Sequence, residues 1–188
     1  MSEFFGLLFS AVLANNLALS YLVGLDLQVA ASRRISTAWL IGLSNLYCLT
    51  LCLPAVYILD QLIIAPLQLQ YLDLLFYLML ILLIVYASKN LFAIFFPLLS
   101  QQLEKVIPLL LLNSLLFAVI LLDNSNSFTG ALLYGFSSGT GFLFLLLVIT
   151  CLRERIDNEA IPLPFQGLPI LLISLGIFSM GLMGLAGI

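Results

Sequence analysis

The 188-residue sequence is poor in charge: Lys, Arg, Asp and Glu make up only 8% of it, and histidine is absent. A soluble domain carries about 25% charged residues, so a chain with this composition must be solvated largely by lipid. Without histidine it lacks the commonest metal ligand and the usual proton carrier near neutral pH. Six basic residues against nine acidic ones also argue against the clustered positive charge that nucleic-acid binding requires.

Cysteine is also scarce, and all three cysteines lie inside apolar segments, which argues against a disulfide framework. Cys48 and Cys52 are four residues apart and share a helix face, a spacing that could serve a soft metal. Two thiolates supply only half of a tetrahedral metal site. The simpler interpretation is that Cys48 and Cys52 are buried as small hydrophobic side chains. The sequence names no metal. No phosphate-binding loop or catalytic triad is present. We expect no catalytic residues, and any enzyme activity would belong to a larger assembly.

What the chain has in abundance is apolar residues, which form 63% of it. Six stretches approach the roughly 20 residues that a membrane-spanning helix needs. They are Phe4–Gly24, Ser36–Leu59, Tyr71–Phe96, Val106–Leu122, Gly130–Leu152 and Leu168–Gly187. This pattern predicts an all-α polytopic membrane protein with six transmembrane helices in a single membrane domain over 1–188. No basic leader precedes the first stretch, so we expect a retained span rather than a signal peptide.

A repeat divides these six stretches into three plus three. Residues 36–51 (STAWLIGLSNLYCLTL) return in similar form 93 positions later as residues 129–144 (TGALLYGFSSGTGFLF). Such an echo indicates a duplicated unit, here repeat one over about 1–96 and repeat two over about 106–188. Because each unit crosses the membrane three times, the two repeats must be inverted. Inverted repeats in membrane proteins place the working site near mid-bilayer, where the repeats meet.

The basic residues predict the orientation of the chain. All six lie in or beside the first, third and fifth connections: Arg33, Arg34, Lys89, Lys105, Arg153 and Arg155. The second connection, at Asp60, and the fourth, at Asp123, carry none. By the positive-inside rule the basic side is cytoplasmic, so both termini face outward.

Polar residues inside the spans are the candidates for a site. Asn15 and Asn16 are central in the first span, and Asn113 next to Ser114 is central in the fourth, the equivalent span of the second repeat. They either shape a site between the repeats or act as interhelical hydrogen-bond glue. Asp26, which closes the first span, is either a cation ligand or proton carrier, or an interfacial carboxylate. The ion-path candidates are therefore Asn15, Asn16, Asn113 and Asp26.

Small residues recur in the fifth and sixth spans, where glycines and serines are spaced along the helices. Small side chains let helix backbones approach closely. We expect these faces to pack against neighbouring helices or against another subunit.

Three segments together resemble a known membrane family over essentially the whole chain: LANNLALSYLVGL (13–25), LLYGFSSGTGF (132–142) and RERIDNEAIPLPFQG (153–167). The family comprises the A subunit of the Rnf complex and the E subunit of sodium-translocating NADH:quinone reductase. The resemblance implies a multi-pass protein of the bacterial inner membrane with both termini outside. It also implies a sister subunit of opposite orientation, within a complex that couples electron transfer to transport of Na⁺ or H⁺.

Relatives in this family carry one cysteine just after the Gly-Leu of the first span and another after the Asn of the fourth. With two cysteines of the sister subunit, these are thought to hold a [2Fe–2S] cluster in mid-membrane. The matching positions here are Asp26 and Ser114. Carboxylate and hydroxyl oxygens are poorer ligands for such a cluster than thiolates.

Two versions of the family function follow from these two positions. The chain is either a cluster-free subunit that supplies membrane scaffold and part of an ion path, or one that keeps a cluster through Asp and Ser ligation. Outside redox chemistry, the alternatives are a non-redox transporter or channel-like protein on the same inverted-repeat fold, and a purely structural membrane adaptor.

Overall fold

Helices form all the regular structure in the described part of the chain. The computed structural model describes residues 17–31, 34–95, 106–111, 113–123, 125, 127–156 and 162–186. The helices, in chain order, are α1 (Leu17–Ser20), α2 (Leu25–Ala30), α3 (Ile35–Leu67), α4 (Asp73–Phe95), α5 (Ile107–Leu111), α6 (Ser114–Leu122), α7 (Phe128–Arg155) and α8 (Leu168–Ala186). Short 3₁₀ turns, Gln70–Leu72 and Leu163–Phe165, lie before α4 and α8.

Five of the six predicted spans coincide with apolar helical segments. Within the described residues, three helices are long and apolar enough to cross a membrane: α3, α7 and Gln70–Asn90, which contains most of α4. Shorter apolar segments, Ile107–Leu122 and Leu168–Leu182, correspond to the fourth and sixth spans. The first predicted span, Phe4–Gly24, lies mostly outside the described residues.

The second span ends later than its sequence predicts, at Leu67 instead of Leu59. The chain does not turn at Asp60 but continues through a π-helical segment, Asp60–Ile64, and one last α-helical turn. The next residue, Gln68, caps the helix with a φ of 52°. Apolar residues precede and follow this segment, so the helical pattern continues past Asp60. The Asp60 carboxylate accepts a hydrogen bond from the Tyr77 hydroxyl of α4 at 2.8 Å. A single charge at a helix end is therefore accommodated without a turn.

The centre of the fold is the close pair α3 and α7, the helices that carry the repeated segments. A methyl group added at Gly135 would lie 2.7 Å from the Leu49 carbonyl oxygen, and one at Gly139 would lie 2.9 Å from the Leu46 Cα. Backbones this close leave no space for a larger side chain at either glycine. The prediction that small residues of the fifth span permit close helix packing is confirmed, within the chain itself.

The glycines of α8 behave differently. Among the described residues, no atom beyond the adjoining part of α8 itself lies within 4 Å of the position that a methyl group would take at Gly176, Gly181 or Gly184. The neighbouring side chains of Ile177 and Met180 are 66% and 73% exposed. Small residues of the sixth span therefore do not mediate helix packing between described parts of this chain.

Candidate functional site

Two helices begin at the same place inside the fold. Gly24 precedes α2 and Asn113 precedes α6, so each of the two spans is interrupted there. The Gly24 amide donates a hydrogen bond to Ser114 Oγ at 2.9 Å, and Ser114 Oγ donates to Asp26 Oδ1 at 2.9 Å. We call this meeting point, formed by Gly24, Asp26, Asn113 and Ser114, the crossing. The structure thus brings Asp26 and Ser114, the two positions predicted from the family resemblance, into direct contact.

The backbone at the crossing requires glycine on the α2 side. Gly24 has a φ of 80°, a left-handed conformation that residues with a Cβ adopt at a cost. An added methyl group would also lie 2.8 Å from Cε2 of Phe142 and 3.4 Å from Cβ of Leu115. Because Gly24 has no side chain, Phe142 and Leu115 can pack against it, and its amide lies close enough to donate to Ser114 Oγ.

The α6 side of the crossing is organised by a buried asparagine. Asn113 Oδ1 accepts a hydrogen bond from the Leu115 amide at 2.9 Å, which caps the helix. Its Nδ2 donates to Asn45 Oδ1 on α3, and both side chains are fully buried. Asn113 was predicted either to shape a site or to form a hydrogen bond between helices. The contact with Asn45 is a hydrogen bond of the second kind.

Asn45 is a buried polar residue that the sequence alone did not single out as part of the site. Its Nδ2 is buried and has no hydrogen-bond acceptor in the described structure. One feature of the sequence could have indicated it. Asn45 lies inside the repeated segment 36–51, near the middle of a largely apolar span. An amide at such a position is costly unless it has a partner, and here Asn113 is that partner.

Asp26 differs from the two asparagines in being exposed. Its carboxylate is exposed on the surface of the chain, although it contacts Ser114. Two residues later, Gln28 is only 2% exposed, and its backbone carbonyl oxygen accepts a hydrogen bond from Arg153 at 3.2 Å. The short helix α2 therefore has a buried face toward α7 and a charged residue on its outer face. Asn15 and Asn16, the other ion-path candidates, lie outside the described residues.

A second polar region lies at the end of the bundle where α3 gives way to α4. A cavity of about 220 Å³ is lined there by Asp60, Asp73, Tyr77, Asp123 and Ser125, among others. Asp123 accepts hydrogen bonds from the Ser125 amide and hydroxyl, both at 3.0 Å. From the sequence, Asp60 and Asp123 only mark connections, because each stands at the end of an apolar run.

The cysteines do not form part of the crossing. Cys48 and Cys52 are buried on α3, and Cys151 is exposed on α7. Among the described residues, no three His, Cys, Asp or Glu side chains are placed to hold a metal ion. Burial as small hydrophobic side chains describes the α3 pair.

Comparison with known proteins identifies the family. The profile described as "Rnf-Nqr subunit, membrane protein" matches residues 4–188. The chain belongs to the Rnf-Nqr family. It is similar along its whole length to proteins named as the A subunit of an ion-translocating oxidoreductase complex. The one from Alkalilimnicola ehrlichii is 35% identical over 190 residues, which cover 100% of this chain and 98% of the relative.

Two further relatives carry the same name. The protein from Cereibacter sphaeroides is also 35% identical, with 100% of this chain and 98% of the relative covered. The protein from Vibrio vulnificus is 30% identical, with 100% and 99% covered. The predicted family and the prediction of an all-α polytopic membrane protein are confirmed, and the relatives are by name subunits of a larger complex.

The crossing does not fit the iron–sulfur cluster that the Rnf-Nqr resemblance implies. Clusters are held by thiolates, whereas this chain offers one carboxylate and one hydroxyl. The Ser114 hydroxyl is protonated, because it donates to Asp26, and its oxygen also accepts from the Gly24 amide. The hydrogen-bonded pair offers iron no thiolate.

Proposed function

We propose that this chain is the A-type membrane subunit of an ion-translocating oxidoreductase complex. The observation that carries the proposal is the full-length similarity to relatives of that name, at 35% identity over 190 residues. The chain acts as part of the complex, and the redox reaction itself belongs to the assembly.

The proposed setting is the bacterial plasma membrane, with the basic connections in the cytoplasm and both termini outside. The chain would be built from two inverted repeats and paired with a sister subunit of opposite orientation. The placement of all six Lys and Arg residues supports the orientation. The repeat is supported by the pairing of α3 with α7 and by the two interrupted spans that meet at the crossing.

We further propose that this subunit works without a cluster at the crossing. The mutual hydrogen bond between Ser114 and Asp26 supports this version over ligation by their oxygens. The subunit then contributes the membrane frame of the complex. Asp26 is the one charged ion-path candidate, whereas Asn113 already serves as a helix cap and as the partner of Asn45.

Electron paramagnetic resonance on the intact complex tests the cluster-free version. The complex would be purified through a tag on another subunit, with wild-type chain, with Ser114→Ala and with Ser137→Ala as the control. Ser137 lies on α7 and donates only to the Tyr134 carbonyl of its own helix. If the crossing holds no cluster, any [2Fe–2S] signal comes from other subunits. We therefore expect the same signal per assembled complex in all three preparations. A signal that disappears in Ser114→Ala but persists in Ser137→Ala would overturn the cluster-free version.

Purification through a tag on this chain tests membership of the complex. We expect the chain to be recovered with flavin-containing and iron–sulfur subunits in a constant ratio. Recovery of the chain without any redox subunit would contradict the proposed function and favour the non-redox transporter.

A further inference from the structure

We infer that the outer face of α7 binds one anionic phospholipid, whose phosphate contacts Arg155 and whose acyl chain lies along the helix. The lipid belongs to the leaflet on the side of the basic connections. Such a lipid site is a property of the chain in its membrane, whatever redox role its complex has.

The first observation is a groove of about 570 Å³ on the surface of α7. Among the described residues, it is lined by one face of the helix: Phe144, Leu147, Val148, Cys151, Leu152 and Arg155. These residues recur every three or four positions, so they form one stripe along the helix, and all but the last are apolar. At about 100° per residue, the stripe lies opposite Gly135 and Gly139, which pack against α3. The groove is therefore on the outer surface of the chain, where apolar groups of the membrane can enter it.

The second observation is the length and depth of this stripe. The 28 residues of α7 make a helix about 42 Å long, which exceeds a hydrocarbon core about 30 Å thick. Arg155, the last residue of the helix, therefore lies at the level of the lipid headgroups. Phe144 lies about 16 Å from it along the helix, and one leaflet contributes about 15 Å of hydrocarbon. The stripe has the length and position of one acyl chain in one leaflet.

The third observation is the charge at one end of the groove. Arg155 is exposed, and among the described lining residues it is the charged one. The other arginine of this turn, Arg153, donates to the backbone carbonyl oxygen of Gln28 on α2, which directs it toward the inside of the chain. Glu154 lies about 100° away from Arg155 around the helix, beside the stripe. The groove thus combines an apolar wall with one guanidinium at its headgroup end.

This combination is complementary to an anionic phospholipid. A guanidinium can donate two parallel hydrogen bonds to a phosphate group. Basic side chains at a membrane surface also attract anionic lipids, whereas a zwitterionic phospholipid carries an ammonium group that offsets the charge of its phosphate. We therefore expect the groove to prefer phosphatidylglycerol to phosphatidylcholine, although the two lipids offer the same acyl chains.

Lipid binding to the purified full-length chain tests the site. The chain in detergent would be freed of lipid and titrated with phosphatidylglycerol or phosphatidylcholine, and the bound lipid would be counted by native mass spectrometry. We expect the first phosphatidylglycerol to bind about fivefold more tightly than phosphatidylcholine, the preference that one basic residue at a membrane surface provides. Equal affinities for the two lipids would overturn the inference and leave water or a carboxylate of this chain facing Arg155.

Two arginine variants separate the groove from general surface charge. Arg155→Gln removes the guanidinium of the groove, and we expect the preference for phosphatidylglycerol to fall below about twofold. Arg34→Gln is the matched control, because Arg34 is exposed at the start of α3, at the same end of the antiparallel pair α3 and α7. It should keep the wild-type preference. An unchanged preference in Arg155→Gln, or equal losses in the two variants, would overturn the inference.

A third variant tests the position of the acyl chain. Val148→Trp fills the middle of the groove but leaves Arg155 in place, and we expect phosphatidylglycerol to bind about fivefold more weakly because its chain loses apolar contact. Leu132→Trp is the control, since Leu132 is an exposed residue of α7 outside the groove. Wild-type affinity in Val148→Trp would mean that the chain lies elsewhere and would overturn the inference. The unfolding temperature of each variant is measured in the same detergent, and Val148→Phe replaces Val148→Trp if the latter is not folded.

Discussion

The two interrupted spans meet at one point but are built in different ways. On the α6 side, Asn113 is fully buried, caps its helix and is hydrogen-bonded to Asn45 of α3. On the α2 side, Gly24 takes a left-handed conformation and Asp26 faces outward. One side of the crossing is completed within the chain, and the other presents an exposed charge. The difference shows that two helices beginning at one place can be held there differently, one by a buried asparagine pair and the other by a glycine backbone beside an exposed carboxylate.

The largest loss of stability is expected at Asn113, on the internal side. Asn113→Ala removes a helix cap and leaves Asn45 buried without its donor. Together these should lower the free energy of unfolding by about 2–4 kcal/mol. Unfolding of the purified chain in mixed micelles measures the effect. Asn113→Ser is the matched variant, since a shorter side chain retains the cap but does not reach Asn45, and it should lose less. Equal losses for the two variants would contradict the importance of the Asn45 contact.

A smaller loss is expected at Gly24. Gly24→Ala adds a methyl group in a left-handed conformation and close to Cε2 of Phe142, which should cost about 1–2 kcal/mol. Gly181→Ala is the control, because a methyl group at that position on α8 would meet no other part of the described structure within 4 Å. We expect it to unfold like the wild type. Should Gly181→Ala lose as much as Gly24→Ala, the backbone at the crossing would not be specially constrained.

The smallest loss is expected at Ser114. Ser114→Ala removes the donor to Asp26 and the acceptor for the Gly24 amide, and we expect a decrease of about 1 kcal/mol in the isolated chain. Ser137→Ala, a serine bonded only within its own helix, should change stability by less than about 0.5 kcal/mol. The same unfolding experiment compares the two. If Ser114→Ala lowered the free energy of unfolding as much as Asn113→Ala does, the two sides of the crossing would contribute equally to stability, against our expectation.

The residues of the site were predictable to different degrees. Asp26 and Ser114 could be selected because they stand where relatives carry cysteines, although their mutual hydrogen bond could not be foreseen. Asn113 was singled out, but its role stayed open between site and glue until its partner was visible. Asn45 was missed, since its place in the repeated segment does not show that a partner amide lies opposite it. The cluster-free state and the ion path remain predictions.

Composition and periodicity were sufficient for the membrane environment and the approximate positions of five spans, because apolar runs of about 20 residues have few alternatives in lipid. They were not sufficient for the end of α3, which passes through Asp60, or for the different behaviour of glycines in α7 and α8. Both depend on what lies opposite: the Tyr77 hydroxyl for Asp60 and the Leu49 carbonyl for Gly135. Close approach between two helices depends on the surfaces of both. The sequence of one helix therefore does not show whether its glycines meet a neighbour.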